Sequence, residues 1–210
     1  MSVETSLANP AVTTARIDGG LLRASLGLAL IGLLLFGLGY SLLAMGLGRL
    51  LFPHVADGSL IRQDGRVVGS ALVAQPFAAD RYFQPRPSAA AYDPMALSAS
   101  NQARSNPALI ERIEAARSAA AEREGIAADQ VPGDLFTQSG SGIDPDITPA
   151  AARIQIARVA AARGLSREAV AALLERHIEP AQWGLFGAPR VNVLELNLAL
   201  DALDRHAAAQ

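Results

Sequence analysis

The fold is decided by GLLRASLGLALIGLLLFGLGYSLLAMGLGRL, residues 20–50. Between Arg23 and Arg49 this stretch holds 25 residues without a charged side chain. At about 1.5 Å of rise per residue, such a helix spans about 37 Å, more than the roughly 30 Å of a hydrocarbon core. A cleaved signal peptide has a shorter apolar region, about 7–15 residues, that ends at a small-residue site such as A-x-A. The sequence therefore predicts a retained transmembrane helix at residues 24–48, preceded by a short segment, residues 1–23.

Small residues recur at every seventh position of this span. They are Ser25, Gly32, Gly39 and Gly46. Seven residues at about 100° each return to within about 20° of the start, so a continuous α-helix places all four along one slowly drifting stripe. Small residues in a membrane helix let another backbone approach closely. The stripe predicts docking onto a second helix, although glycine is also common in membrane helices in general.

The rest of the chain is mildly acidic. Residues 50–210 carry 15 Arg and 18 Asp plus Glu, for a net charge of −3, and contain no Lys. This balance gives no reason to expect a nucleic-acid partner. The chain has no Cys, so it offers neither disulfides nor thiolate ligands for a metal. The arginines on the two sides of the span nearly balance, so the charge bias does not orient the helix.

Local signals predict a small mixed α and β domain over residues 49–210. Residues 59–75 are typical of a hairpin, because Asp64-Gly65 lies between two apolar runs. Four helix starts follow from capping residues and from prolines in the first turn, and two helix ends follow from glycines. These signals are Ser105 or Asn106 before Pro107, Thr148 before Pro149, Ser166, the Asn192/Glu195 capping box, and the end glycines Gly125 and Gly164.

Two of these elements leave room for other interpretations. Residues 191–200 also alternate with a period of two, as a strand does. The two helices in residues 147–177 form a helix-turn-helix pattern, but glutamates offset its arginines, and this weakens a role in DNA binding. On the first helix, the predicted apolar face consists of Leu109, Ile110, Ile113, Ala116 and Ala120.

Residues 76–106 form a long polar loop with no obvious chemistry. Loops of this length inside a compact domain are uncommon and, when ordered, are often functional. Its donors and acceptors suit docking onto a partner protein, and the alternative is that they satisfy the loop's own backbone. The candidate docking residues of the loop are Arg81, Arg86, Ser88, Asn101, Ser105 and Asn106.

The pattern favours neither a catalytic nor a metal site. His54, His177 and His206 share no ligand spacing with one another, and TQSGSGID around Ser139 and Ser141 is not a G-x-S-x-G elbow. Gly140 and Gly142 are not followed by the G-K-[ST] of a phosphate loop. Asp144 and Asp146 form one short D-x-D without the further ligands that calcium needs. We predict no catalytic residue and no metal site, and the residues leave open whether the chain binds a cofactor.

Several blocks together resemble one known family. They are GSALVAQPFAADRYFQPRPSA (69–89), SNPAL (105–109), SGSGIDPDITPAAARIQIARVAAARGLS (139–166) and PRVNVLELNLALDAL (189–203). In order and spacing they are similar to the C subunit of the Kdp potassium-transporting P-type ATPase. The chain departs from the family's usual Y-N-P at Asp93, and from its S-G-G-S at residues 97–100.

The resemblance implies a location and a set of partners. Residues 1–23 are expected in the cytoplasm, the span in the cytoplasmic (inner) membrane, and residues 49–210 on the extracytoplasmic side. The expected partners are a channel-like potassium-binding subunit, a P-type ATP-hydrolysing subunit and a small membrane subunit, with no nucleic acid.

It also implies an activity. The chain is expected to be a non-catalytic accessory subunit that aids assembly and acts as a catalytic chaperone, raising the ATP affinity of the ATP-hydrolysing subunit. ATP is then expected only through the complex. A membrane-anchored envelope hydrolase and a membrane-tethered regulator remain as alternatives.

Overall fold

The computed structural model describes residues 19–208, with side chains described as far as Arg205. Most of the predicted segment 1–23 and the side chain of His206 lie outside the described residues. The chain separates into two units, one ending at Ala56 and the other beginning at Asp57. Each unit is described by itself.

The first unit is one long apolar helix, Gly19–Leu51, of 33 residues. It consists of α1 (Gly19–Gly32), a π-helical segment (Leu33–Gly39) and α2 (Tyr40–Leu51), and a short α3 (Pro53–Ala56) follows. Its large apolar side chains are exposed, as expected of a helix that crosses a membrane. The prediction of one N-terminal helix long and apolar enough to span a membrane is confirmed, and the helix extends past residues 24–48 at both ends.

The second unit begins with a hairpin, as predicted. Strand β1 (Leu60–Gln63) pairs antiparallel with β2 (Arg66–Ser70), and Gln63 lies opposite Arg66. The two-residue turn between them, Asp64-Gly65, has φ values of 51° and 77°. Asp and Gly tolerate this left-handed region, which is why they mark the turn in the sequence.

Three helices begin, and two of them end, at the residues that the capping signals indicate. Helix α4 (Pro107–Glu124) begins where the Asn106 side chain accepts the Ala108 N–H, and α5 (Pro149–Arg163) begins where Thr148 accepts the Ala151 N–H. Helix α6 (Arg167–Arg176) follows Ser166, and His177 is its C-terminal cap. Gly125 and Gly164 end α4 and α5 with φ of 66°.

A three-stranded antiparallel sheet and a last helix complete the unit. Its strands β3 (Asp146–Ile147), β4 (Ile178–Glu179) and β5 (Arg190–Asn192) lie in the order β3-β5-β4. Helix α7 (Val193–Ala208) follows at once, because the Asn192 side chain accepts the Glu195 N–H and opens a helix. The strand interpretation of residues 191–200 is therefore wrong beyond Asn192.

The core lies among α4, α5, α6, α7 and β5. Its fully buried apolar side chains include Phe83, Val159, Val170, Leu174, Val191, Leu196 and Leu200. The predicted apolar face of α4 is only partly right: Ala120 is buried, but Ile110 is 51% exposed. The mixed helix and strand fold predicted for this domain is confirmed.

Candidate docking site

The long loop runs from Ala71 to Asn106, and in this part of the described chain no residue belongs to a helix or strand. Its early part is nevertheless fixed by two buried side-chain amides. The Phe83 N–H donates to Asn197 Oδ1 at 2.8 Å, and Asn197 Nδ2 donates to the Phe83 carbonyl at 2.9 Å. The next residue is held in the same way: the Gln84 N–H donates to Gln155 Oε1 at 2.7 Å, and Gln155 Nε2 donates to the Gln84 carbonyl at 3.3 Å. The amides of α5 and α7 thus supply the backbone pairing that a neighbouring strand would give.

Two arginines of α5 reinforce this clamp. Arg158 Nε lies 3.0 Å from both carboxylate oxygens of the fully buried Glu124, and its Nη1 donates to the Tyr82 carbonyl at 3.0 Å. Arg163, also fully buried, pairs with two aspartates of α7 and donates through Nε to the Arg81 carbonyl at 2.7 Å. The loop carbonyls therefore accept hydrogen bonds from the buried guanidinium groups of these two arginines. The loop backbone and the buried arginines depend on each other for hydrogen-bond partners.

Arg81, Arg86 and Ser88 are engaged within the chain. Arg81 pairs with Asp204 at 2.7 Å, and Arg86 pairs with Asp144 at 2.8 Å. The Ser88 hydroxyl donates to the Gly142 carbonyl and accepts two N–H groups of its own loop. Arg86 and Ser88 therefore come together at residues 142–144, while Arg81 lies at α7.

The other three loop candidates lie toward α4. Asn101 is exposed with φ of 50°, and its Nδ2 donates to the Ala99 carbonyl at 3.2 Å. Ser105 is exposed, and Asn106 caps α4. Most of the six candidates thus form hydrogen bonds or ion pairs within the chain, which agrees with the alternative to docking stated above. Their contact with a partner protein stays a prediction.

The π-helical segment interrupts the seven-residue stripe. The Tyr40 N–H bonds to the Leu35 carbonyl, five residues back. A π-helical turn contains about one residue more than an α-helical turn. Residues after the segment are therefore rotated about the helix axis by up to roughly 100° relative to residues before it. The stripe is therefore offset between Gly32, just before the segment, and Gly39, its last residue, and Ser25 and Gly46 lie on opposite sides of this offset.

In segment 139–146, Ser139 and Gly142 are buried against the long loop, while Gly140 and Ser141 are exposed. Gly142 has φ of 77°, and a Cβ built there would lie 2.8 Å from the Ser98 carbonyl oxygen. The Ser139 hydroxyl accepts the Gly142 N–H at 2.8 Å, and the Ser141 hydroxyl accepts the Ile143 N–H at 3.2 Å. Among the described hydrogen bonds, none joins either serine to a histidine. The long loop packs against residues 139–146, and this segment is called the seat below.

Three aspartates (Asp134, Asp144 and Asp146) and two arginines line a cleft of about 170 Å³ beside this segment. Asp144 pairs with Arg86, and Asp146 lies 3.2 Å from Arg190 Nε. Burial raises the pKa of the Asp146 carboxyl, with Arg190 opposing and Asp144 adding to the rise. Arg86 Nε is buried and lacks a hydrogen-bond partner. Among the described side chains, residues 19–205, no group of three His, Cys, Asp or Glu is placed to hold a metal.

Three arginines of the helix-turn-helix pattern are also engaged. Arg153 of α5 pairs with Glu175 of α6 at 2.9 Å, while Arg158 and Arg163 form the clamp described above. These side chains hold the domain together and do not form an open basic face.

One surface feature escaped the sequence prediction. Between β4 and β5, a tight turn presents Trp183, Leu185 and Phe186, whose exposed fractions are 81%, 81% and 60%. The signal was available, because residues 180–189 (PAQWGLFGAP) contain no charge. The prediction passed over it because these residues carry no chemistry and fit no periodic pattern.

A family model described as "K+-transporting ATPase, c chain" matches residues 22–202, which include both the apolar helix and the folded unit. The chain belongs to the KdpC family. A potassium-transporting ATPase KdpC subunit from Xanthomonas campestris pv. campestris (strain B100) is 62% identical over 184 residues, covering 88% of each chain. The subunit of the same name from Shewanella putrefaciens is 50% identical over 186 residues, 89% of this chain and 92% of the other. That from Methylococcus capsulatus is 50% identical over 86% of this chain and 97% of the other.

This membership makes the chain a KdpC subunit of a potassium-transporting ATPase complex, with an accessory role beside other subunits. The resemblance read from the sequence blocks is confirmed.

Proposed function

We propose that this KdpC subunit is a non-catalytic accessory subunit of a high-affinity, ATP-driven potassium uptake complex, and that it aids assembly of that complex. The observation that carries the proposal is the match over residues 22–202, because it includes both the anchor and the domain. The proposed partners are a channel-like potassium-binding subunit, a P-type ATP-hydrolysing subunit and a small membrane subunit.

The membrane helix and the folded domain have separate roles in this function. A charge-free stretch of 25 residues holds the chain in the cytoplasmic membrane, and its small residues admit a neighbouring helix. The helix ends at Leu51 and the domain begins at Asp57, so five residues connect the two. We assign the domain to the extracytoplasmic side and residues 1–23 to the cytoplasm.

The effect on ATP is proposed to be indirect. The subunit acts as a catalytic chaperone that raises the ATP affinity of the ATP-hydrolysing subunit through the assembled complex, without contacting the nucleotide. The packing of Gly142 supports this, since the protein's own loop occupies the space beside that glycine, where a Cβ would lie 2.8 Å from the Ser98 carbonyl oxygen.

Two experiments test the proposal. First, a strain lacking the chain should fail to grow at limiting potassium, and plasmid-borne wild type should restore growth; equal growth without the chain contradicts the accessory role. Second, the KM for ATP of the purified complex should rise when the chain is removed, while an unchanged KM contradicts the chaperone role.

The side of the membrane has its own test. The chain has no native Cys, so Ser118→Cys, at an exposed position of α4 outside the candidate docking residues, gives a single reactive thiol. An impermeant maleimide should label it in intact cells. Labelling only after the cells are opened would place the domain in the cytoplasm.

A further inference from the structure

The turn Trp183–Phe186 is the most apolar exposed feature of the folded unit. Its three large side chains are each at least 60% exposed, and no charged residue occurs from Pro180 to Pro189. Single exposed apolar residues are ordinary on protein surfaces, but a contiguous group marks an interaction site. Trp and Phe are also the side chains that most often anchor protein interfaces.

The turn is built to hold these side chains in place. Gln182 and Phe186 exchange two backbone hydrogen bonds, at 2.8 and 3.0 Å. Trp183 and Gly184 both have positive φ, at 54° and 73°, which a bulky residue adopts only under constraint. The Trp183 and Phe186 rings meet edge to face with centroids 6.0 Å apart. A preorganised tip loses little conformational entropy when a partner covers it.

The base of the turn carries an excess of negative charge. Asp146, Glu179 and Glu195 line one cleft there, and Arg190 is the only cation among the residues that line it. Arg190 already pairs with Asp146 and Glu179. An anionic lipid surface would meet this excess unfavourably, because interfacial binding usually relies on free basic side chains. A protein surface with an apolar pocket and a basic border complements it.

We propose that the Trp183–Phe186 turn inserts into an apolar pocket, bordered by basic side chains, on another subunit of the potassium-transporting ATPase. The inference rests on the proposed function, since it requires the chain to work inside that complex. It adds a specific contact on the folded domain, separate from the membrane helix and from the polar loop.

The first test uses single cysteines in the full chain. Leu185→Cys is made in a protein with no other Cys, and its maleimide reaction rate is measured with and without co-expressed partner subunits. We expect at least a tenfold slower reaction in the complex. Ser118→Cys, exposed on α4, is the matched control and should react equally in both states. Equal rates at Leu185→Cys, or the same slowing at Ser118→Cys, would overturn the proposal.

The second test distinguishes a lipid occupant. Trp183 is the only tryptophan of the chain, so its fluorescence can be followed without interference when the full chain is reconstituted alone. Vesicles whose acyl chains carry bromine should leave the emission unchanged, because the proposed occupant is a protein. Strong quenching would show that the turn enters the bilayer and would overturn the proposal.

Pull-down and cysteine reactivity together distinguish a wrong proposed function from a wrong contact at the turn. If the wild-type chain recovers no other ATPase subunit, the proposed function and this inference both fall. If the wild type recovers the subunits but Leu185→Cys stays equally reactive, only the inference falls.

Discussion

Asn197 offers the sharpest test of how the long loop is held. Its side chain is fully buried on α7, where it accepts from the Phe83 N–H and donates to the Phe83 carbonyl. Asn197→Leu keeps a similar volume but leaves both backbone groups without a partner beside a fully buried ring. Each unsatisfied buried group costs about 1–3 kcal/mol, so the free energy of unfolding should fall by about 2–6 kcal/mol. That is a large share of the roughly 5–15 kcal/mol that stabilises a typical domain.

The assay is urea unfolding of the full chain in mild detergent, followed by circular dichroism. Gln130→Leu is the control, because Gln130 is an exposed amide and its loss should change the free energy by no more than about 0.5 kcal/mol. If Asn197→Leu unfolds within that same range, the loop is not held by the amide clamp, and the account of the loop is wrong.

Three further predictions concern the seat, the cleft and the membrane helix. Gly142→Ala should lower the thermal unfolding midpoint, because it places a Cβ 2.8 Å from the Ser98 carbonyl oxygen at a φ of 77°; an unchanged midpoint would contradict the close packing. Burial raises the pKa of Asp146 above its ordinary 3.8, so the folded state holds this proton more tightly than the unfolded state. Wild type should therefore lose stability relative to Asp146→Asn as pH rises through 3.8 and beyond, and a difference independent of pH would contradict that shift. Replacing Gly32 and Gly39 by Leu should release the chain from the complex, because the larger side chains block close helix approach, while unchanged co-purification would exclude a packing role for these glycines.

The elements of the fold that the sequence predicts well are those determined locally. Thr148 and Ser166 each bond an N–H three residues on, and Asp64-Gly65 forms its turn without help from the rest of the chain. The length of a stretch without charged side chains is likewise enough to indicate a membrane helix. For such features a short window of sequence contains all the interacting groups.

The path of the long loop depends on distant partners and could not be predicted in this way. Phe83 and Asn197 are 114 positions apart, and Gln84 and Gln155 are 71 apart. In the sequence, these amides are ordinary polar residues within helices, and nothing nearby shows that they face inward. The same holds for Arg86 and Ser88, whose bonds to residues 142–144 tie up groups that the sequence presents as free for docking.

The offset in the membrane helix has another cause. The seven-residue spacing assumes uniform α-helical geometry, and a π-helical turn changes the angle between positions without any change in composition. Leu and Gly occupy the α-helical and π-helical parts alike, so the sequence contains no marker for the segment.

The central claim, that this chain works as a docked subunit of a potassium-transporting ATPase, is tested most directly by one measurement. A tagged full chain is purified from gently solubilised membranes of cells grown under potassium limitation, and its partners are identified by mass. The account predicts recovery of a large multi-span potassium-binding subunit together with a P-type ATPase. Recovery of the chain alone, or only as a homodimer, would contradict it.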